Sequence, residues 1–367
     1  MNCSQTVTDV FVPPKFDKQV TNLCKAVAII LMYIHHSFLG ESSWGESNII
    51  SPLLSQEQMI WIASACKVCV SIFVFLSAYG VYRSASPSLK SLNHDEYCRT
   101  VTRRYLSLVS DFMFIYVLSQ FFSPVIGFDR IAIYGEDLSG RIFYTVIDAL
   151  GLANAFRTPT FNATWWYMSY AILLIFMLPI LTALVEKIGY GIIPISFLVS
   201  TLTRSDTSVV FHLYLPVVGF GLVFAKYNLF ESIYIQIRRQ KTTYVSGFFI
   251  LVVLIALFTY CRQEIGFSYI FDVFTAVLIC LFCYLYLHSV LFLRKGLSFI
   301  GKHSMNMFLT HTFVRHINSN FHDFSYSPRY PLLILLLLLA DTLLLSIIIE
   351  ELKKWLSRGW NALKKRK

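Results

Sequence analysis

Charged residues are scarce in this chain of 367 residues. They make up 14% of the sequence, whereas soluble globular domains carry about 25%. Hydrophobic residues account for 56% of it, and apolar runs recur at close to the ~20 residues that a helix needs to cross a bilayer. The composition excludes an ordinary soluble protein and predicts an all-α, polytopic protein of the plasma membrane.

The first residues also lack the features of a secretory signal. The stretch MNCSQTVTDVFVPPKFDKQV has no basic segment followed by an apolar run, so no cleavable signal peptide is expected. The first membrane span is expected to act as its own insertion signal. No internal sequence repeat is found either.

The sequence also lacks a set of cysteines and histidines at the spacing of a metal site. The chain has eight cysteines, which include C-x-x-C pairs at Cys66/Cys69 and Cys280/Cys283 inside predicted spans. No histidine or carboxylate lies at ligand spacing from them, so they are interpreted as small packing residues. No bound metal or cofactor is expected.

The hydrophobic pattern predicts about ten membrane spans, with both termini in the cytoplasm. Residues 142–156 are too short and too mixed to span, and are predicted to form an interfacial or re-entrant helix. The chain divides into a cytoplasmic segment 1–19, a membrane domain 20–350 and a basic cytoplasmic tail 351–367. The predicted spans lie near 20–39, 58–82, 105–126, 165–186, 189–203, 209–226, 242–260, 267–287, 299–320 and 331–350.

The net charge of +10 is explained by where the basic residues lie in this topology. Lysine and arginine concentrate in the segments that lie on the cytoplasmic side when the N-terminus is inside, as the positive-inside rule requires. The basic balance therefore indicates membrane orientation and attraction to anionic lipid headgroups, and it excludes a nucleic-acid partner.

The first predicted span contains CKAVAIILMYIHHSFLG, with ionisable groups at both ends. Lys25 and His36 are 11 positions apart, which places them within about 20° of the same helix face and about 16 Å apart along its axis. His35 points roughly 80° away from that face. One interpretation is that the lysine and histidines reach the two interfaces; the other is a functional site.

Cations and hydroxyls from other predicted spans gather at the depth of Lys25. Such a set suits a phosphate-bearing ligand that enters from the cytosol, although ordinary positive-inside flanking explains part of it. Asp272 is predicted near the outer end, level with His36, as a candidate orienting acid or as a packing partner for Lys67 or a hydroxyl. The set comprises Ser77, Tyr82, Arg83, Arg103, Arg104, Lys302, His303 and Ser304, with His311 about midway.

Five short motifs follow one another along residues 20–350. They are Lys25 to His36 with ten intervening residues, FVFLSAYG at 73–80, RRYLSL from Arg103, WYMSYAILLIFMLP from Trp166, and GKHSMNMFLTH at 301–311. Together they resemble the acyltransferase 3 family, integral-membrane enzymes that acylate sugars and other extracytoplasmic acceptors. The chain departs from the family pattern at Ala78, Ala171 and Phe308, which points to the branch that acylates exopolysaccharide or lipid-linked sugar. The fused esterase-like domain of another branch is not found.

The resemblance implies that acyl-CoA, most naturally acetyl-CoA, acts as co-substrate on the cytoplasmic side and that a saccharide or lipid-linked glycan is the acceptor. His36 would serve as general base or transient acyl carrier. The phosphates of CoA would be held by Lys25, Arg83, Arg103, Arg104 and Lys302. Ser77 and Tyr82 would also contact the substrate, and membrane lipids would surround the protein. Ser304, Tyr33 or Trp166 would stabilise the oxyanion, and His311 would bind acceptor, support His36 or be structural. A transporter or flippase for a lipid-linked sugar or small organic anion, or a silent scaffold, remains the alternative.

Overall fold

The computed structural model describes residues 13–203, 210–266, 268–316 and 319–364. Within these ranges the chain is helical and contains no strand. The helices of the first half are α1 (Lys18–Phe38), α2 (Glu41–Glu46), α3 (Gln56–Ala65), α4 (Cys69–Ser84), α5 (Pro87–Lys90), α6 (His94–Phe121), α7 (Arg130–Tyr134), α8 (Leu138–Ala149) and α9 (Ala153–Phe156).

The second half of the chain is also helical and begins after the loop that follows α9. Its helices are α10 (Trp166–Ile188), α11 (Ile192–Leu202), α12 (Leu215–Lys226), α13 (Leu229–Arg238), α14 (Lys241–Ile265), α15 (Ser268–Leu285), α16 (Leu291–Lys302), α17 (Ser304–Arg315), α18 (His322–Tyr326) and α19 (Pro331–Lys364).

Fewer helices than predicted have the length and composition of a membrane span. Among the described residues there are five such stretches, and a sixth is counted if α12 and α13, which meet at a 68° bend, form one span. The predicted number of about ten and the cytoplasmic termini are therefore not confirmed. Five stretches of the described residues meet the criterion: Gln56–Ser84, Ala163–Leu202, Lys241–Ile265, Tyr269–Ser289 and Pro331–Arg358.

Four predicted spans differ from the observed helices in an informative way. The predicted first span, α1, is too polar to qualify, because its 21 residues contain Lys18, Lys25, His35 and His36. The predicted fourth and fifth spans join into one helical stretch, Ala163–Leu202. The predicted ninth span is two short helices, α16 and α17, which meet at His303.

The α1 helix packs against α3, α4, α15, α16, α17 and α19, and the main apolar cluster includes its Val20, Leu23 and Ile29. At its start, the ring of Phe16 lies 4.8 Å from that of Tyr79, near the end of α4. We call this side of the bundle, which carries Arg83, the cation end.

The opposite side is reached at the end of α1. There the Nδ1–H of His35 donates to the carbonyl oxygen of Ala63 on α3, at 2.8 Å. Arg262 near the end of α14 donates to the neighbouring Ser64 carbonyl at 3.2 Å. We call this side the histidine end.

Two small residues let helices approach closely within the bundle. A Cβ on Gly301 of α16 would lie 1.7 Å from the backbone oxygen of Asn22 on α1, so only glycine fits at this crossing. A Cβ on Gly221 of α12 would lie 2.8 Å from the Cβ of Ala78 on α4. The glycine of the GKHS motif therefore has a packing role, and α12 supplies a glycine opposite the alanine of FLSAYG.

Candidate functional site

The His36 imidazole faces the interior of the bundle at the histidine end. Its ring centroid lies 5.1 Å from that of His311 on α17 and 5.0 Å from that of His35. His36 is half-buried and His311 is 2% exposed. No described residue forms a hydrogen bond with the His36 ring, so within the described part of the chain its acceptor nitrogen is available to a bound molecule.

The second imidazole is held in one orientation. His311 donates its Nδ1–H to the carbonyl oxygen of Phe308 at 2.6 Å, which fixes the neutral tautomer with Nε2 as acceptor. Its ring also stacks on Tyr33, with centroids 5.7 Å apart. The Tyr33 hydroxyl is itself bound to the Thr342 hydroxyl at 2.7 Å, so this tyrosine positions His311 and its hydroxyl is already engaged within the bundle.

A hydrogen-bonded path leads from His311 to the loop before α10. The Thr312 hydroxyl lies 3.4 Å from His311 Nε2 and 3.0 Å from the Thr164 hydroxyl. Thr164 in turn donates its backbone N–H to Asn162 Oδ1 at 3.1 Å. The loop therefore approaches the imidazole pair through hydroxyl groups that can pass a proton or bind a sugar hydroxyl.

Asp148 of α8 anchors this loop from outside the candidate spans. Its carboxylate is 1% exposed and accepts from the Tyr134 hydroxyl at 2.6 Å, the Thr160 hydroxyl at 3.0 Å and the Phe161 N–H at 2.5 Å. Burial raises the pKa of this carboxyl above its ordinary value, against the lowering effect of the three hydrogen bonds. The carboxylate ties α7, α8 and the loop into one unit.

The two adjacent tryptophans at the start of α10 have different surroundings. Trp165 is 3% exposed, donates its indole N–H to the Leu309 carbonyl at 3.1 Å and packs edge-to-face with Phe313. Trp166, the residue predicted to touch substrate, is half-buried and packs edge-to-face with Tyr167. It is Trp165 that joins the loop to α17.

Arg315 follows His311 by one helical turn at the end of α17. It interacts electrostatically with His36, His311 and His35, and its Nε is buried without a hydrogen-bond partner among the described residues. Asp272 lies at the same end, but its Oδ1 accepts from Arg262 Nε at 2.5 Å. The predicted orienting acid thus pairs with an arginine instead of contacting His36.

At the cation end, the predicted residues of α4 and α6 are bound to neighbours. The Tyr82 hydroxyl donates to Glu186 of α10 at 2.6 Å, and Glu186 also pairs with Lys90 at 3.2 Å and Lys226 at 3.5 Å. Arg83 and Arg104 lie close together, since they donate to Asn228 Oδ1 and to the Ser84 hydroxyl at 2.6 and 2.8 Å. Arg103, one residue before Arg104, is exposed.

The remaining predicted residues fall into two further places. Lys25, half-buried, and Lys302, exposed, lie near the crossing of α1 and α16. The Ser77 hydroxyl bonds to the Phe73 carbonyl of its own helix at 2.8 Å. Ser304 is buried at the start of α17, about 10 Å along the helix axis from His311, and is therefore not brought beside the imidazoles.

The described part of the chain is thus a helical membrane protein with a buried imidazole pair at one end and a cation cluster at the other. A family model described as an acyltransferase domain, that of the acyltransferase 3 family, matches residues 21–351. The chain belongs to this family, which indicates a membrane acyltransferase. No curated protein and no solved structure matches it significantly.

Several residues of the site were missed by sequence reasoning. Thr164, Thr312 and Trp165 carry no charge and sit in no recognisable spacing, so only the packing of the loop on α17 identifies them. Arg315 was a detectable exception, because it lies four positions after His311 on the same helix face. Asp148 was also readable as a carboxylate within an apolar stretch.

Proposed function

We propose that the protein is a membrane O-acyltransferase that moves an acyl group, most naturally acetyl, from acyl-CoA to a hydroxyl of a saccharide or lipid-linked glycan. His36 is the group that takes the hydroxyl proton. The donor's phosphates bind at the cation end, and the acceptor binds beside His36 at the histidine end.

One observation supports the proposal: the His36 imidazole, to which no described residue is hydrogen-bonded, lies against a second imidazole of fixed tautomer in a chain of the acyltransferase 3 family. A sugar hydroxyl has a pKa far above neutral, so its attack needs a base that titrates near pH 7, and histidine is the side chain suited to this. The cations near Lys25, Arg83 and Arg104 suit the phosphates of CoA.

The reaction then runs as a single displacement. As the acceptor hydroxyl gives its proton to His36, its oxygen attacks the thioester carbon and the carbonyl oxygen becomes negative. The C–S bond breaks, the CoA sulfur receives the proton and the ester is released. In the alternative route, the acceptor nitrogen of His36 attacks the thioester carbon, the C–S bond breaks and the thiolate takes the imidazole N–H proton. The acceptor hydroxyl then attacks the acyl group, and its proton returns to the imidazole as the ester is released.

The test follows label from [14C]acetyl-CoA into surface glycan, using membranes that contain the full chain. His36→Ala should lower the transfer rate by about 10²- to 10⁴-fold, the range that a lost general base produces. The matched control is His35→Ala, which removes the adjacent imidazole that is bound to Ala63. It should retain most of the activity at equal expression.

Transfer by His36→Ala at the wild-type rate would contradict the proposal. So would saccharide flux across the membrane without acyl-CoA consumption, which would favour a transporter. Lys25→Ala should mainly raise the apparent KM for the donor, and unchanged donor binding would remove Lys25 from that role.

A further inference from the structure

Three cations lie at the histidine end, and only some of them have a carboxylate within ion-pair distance among the described residues. Arg262 is matched by Asp272 in a buried pair. Lys67, exposed at the break between α3 and α4, adds a second charge that interacts with His36. Arg315 adds a third, and no described carboxylate lies within 4.0 Å of it.

Arg315 is the most unusual of these cations. Its Nε is buried and has no hydrogen-bond partner among the described residues, and it interacts electrostatically with Tyr326, a residue that is 4% exposed. Arg315 is half-buried, and a charge that is partly removed from water without an opposite charge beside it is costly; the cost falls when an anion comes within reach. Since no described carboxylate lies within 4.0 Å of Arg315, a bound molecule can supply that anion.

We propose that Arg315 binds a negatively charged group of the acceptor, so that the enzyme acts on an acidic saccharide, one that bears a carboxylate or a phosphate. The guanidinium lies one helical turn beyond His311, on the side of the imidazole pair away from the cation end. An acceptor held there by its anionic group would present a neighbouring hydroxyl to His36. This inference rests on the proposed function for the meaning of "acceptor", but the anion site itself does not require transfer.

The experiment measures thermal unfolding of the purified full chain in detergent, followed by the fluorescence of its six tryptophans. The probes are glucuronate, glucose 1-phosphate, glucose and CoA. Glucuronate or glucose 1-phosphate should raise the unfolding temperature of the wild type by mass action, and glucose should not. Stabilisation by glucuronate alone would indicate a carboxylate site, and stabilisation by glucose 1-phosphate alone would indicate a phosphate site. Stabilisation by both would indicate a site that accepts either group.

Arg315→Gln should raise the dissociation constant of the stabilising anion at least about 30-fold, as expected when a buried charge pair loses one partner. Arg239→Gln, which removes an exposed arginine after α13, is the matched control and should not change it. If Arg315→Gln fails to fold, Arg315→Lys, which keeps the charge, should retain anion binding.

Three results would overturn the inference. They are equal stabilisation by glucose and the anions, anion binding that persists in Arg315→Gln, and loss of CoA binding in that variant, which would assign the arginine to the donor. His36→Ala should still bind the anion. Anion binding by a wild-type chain that transfers no acyl group would therefore reject the proposed function and leave the anion site intact.

Discussion

The two ends of the bundle hold their polar groups in different ways. At the cation end, Glu186, Lys90 and Lys226 form ion pairs whose side chains are 17–30% exposed. At the histidine end, His311 and Asp148 are at most 2% exposed, and both are held by short hydrogen bonds. The ion pairs at the cation end reach solvent, whereas His311 and Asp148 at the histidine end are buried and held in place.

This difference fits a division between binding and chemistry. Partly exposed cations can exchange one phosphate for another with little reorganisation and are screened by salt. Groups that act on developing charge gain from a dry and preorganised setting, because electrostatic interactions are stronger there. The comparison therefore predicts that changes at the cation end act mainly on donor affinity and respond to salt, whereas changes at the histidine end act on rate and folding.

The largest expected effect concerns the crossing of α1 and α16. Gly301→Ala should destabilise the protein by about 3 kcal/mol or more, above ordinary overpacking, because its Cβ would lie 1.7 Å from the backbone oxygen of Asn22. The measurement is the unfolding temperature and the yield of monodisperse protein. Gly296→Ala in the same helix has nothing within 4 Å of the added Cβ and should be stabilising by about 0.5–1 kcal/mol, since alanine favours the helix over glycine. Equal behaviour of the two variants would contradict the close packing.

The second effect concerns the anchor of the loop before α10. Asp148→Ala leaves the N–H of Phe161 and the hydroxyl of Thr160 without their acceptor, and a buried group left unsatisfied costs about 1–3 kcal/mol. A lower unfolding temperature and a lower transfer rate are both expected, since the loop carries Thr164. Asp148→Asn is the control, because its amide can accept from Phe161 and donate to Thr160.

The same pair of variants has a pH signature. The pKa of Asp148 is raised by burial from an ordinary value of 3.8, so the folded state binds the proton more tightly than the unfolded state. The contribution of this carboxyl to stability is therefore present at low pH and is lost as pH rises through the raised pKa. Unfolding temperatures measured against pH should show this loss in the wild type and not in Asp148→Asn. An identical pH profile in both would contradict the assignment.

Much of the site could be predicted from the sequence, and the reason is geometric. The helical repeat fixes which residues of one helix share a face, so Lys25 and His36 could be related before any fold was known. The composition likewise predicted an all-helical membrane protein. The pattern of one helix does not show which other helix packs beside it. The His36–His311 contact depends on how α17 packs against α1, so it could not be predicted.

The expectations that the structure does not reproduce have the same origin. The predicted number of about ten spans is not confirmed, in part because hydropathy cannot tell one long helical stretch, Ala163–Leu202, from two spans joined by a tight turn. The motif names Trp166, whereas Trp165 is the tryptophan that meets α17, and a motif gives a position and not the face of the helix. Asp272 was matched to His36 by depth, but Arg262 of the adjacent helix is its partner.

The third effect separates packing from chemistry at the imidazole pair. His311→Ala removes a ring that contacts both His36 and Tyr33, an interaction worth about 0.5–1.5 kcal/mol, so kcat should fall by about 2- to 10-fold. His311→Phe keeps the ring and should retain most of the rate if His311 acts by orienting His36. A loss in His311→Phe as large as in His36→Ala would mean that a nitrogen of His311 takes part directly.

The smallest effect is expected at the cation end, where it sharpens the comparison most directly. Glu186→Gln removes the negative partner of Lys90 and Lys226 but leaves an acceptor for Tyr82. Stability should change by less than about 1 kcal/mol, as for exposed ion pairs. With its cations released, the cation end should attract the CoA phosphates more strongly, so the apparent KM for acetyl-CoA should fall at low salt and return to the wild-type value at high salt.

Glu351→Gln, which breaks the exposed pair with Lys354 on α19, is the control. A KM that did not depend on Glu186 at low salt would assign these ion pairs to helix packing alone, and donor binding would then rest on Lys25, Lys302 and the arginines of α4 and α6.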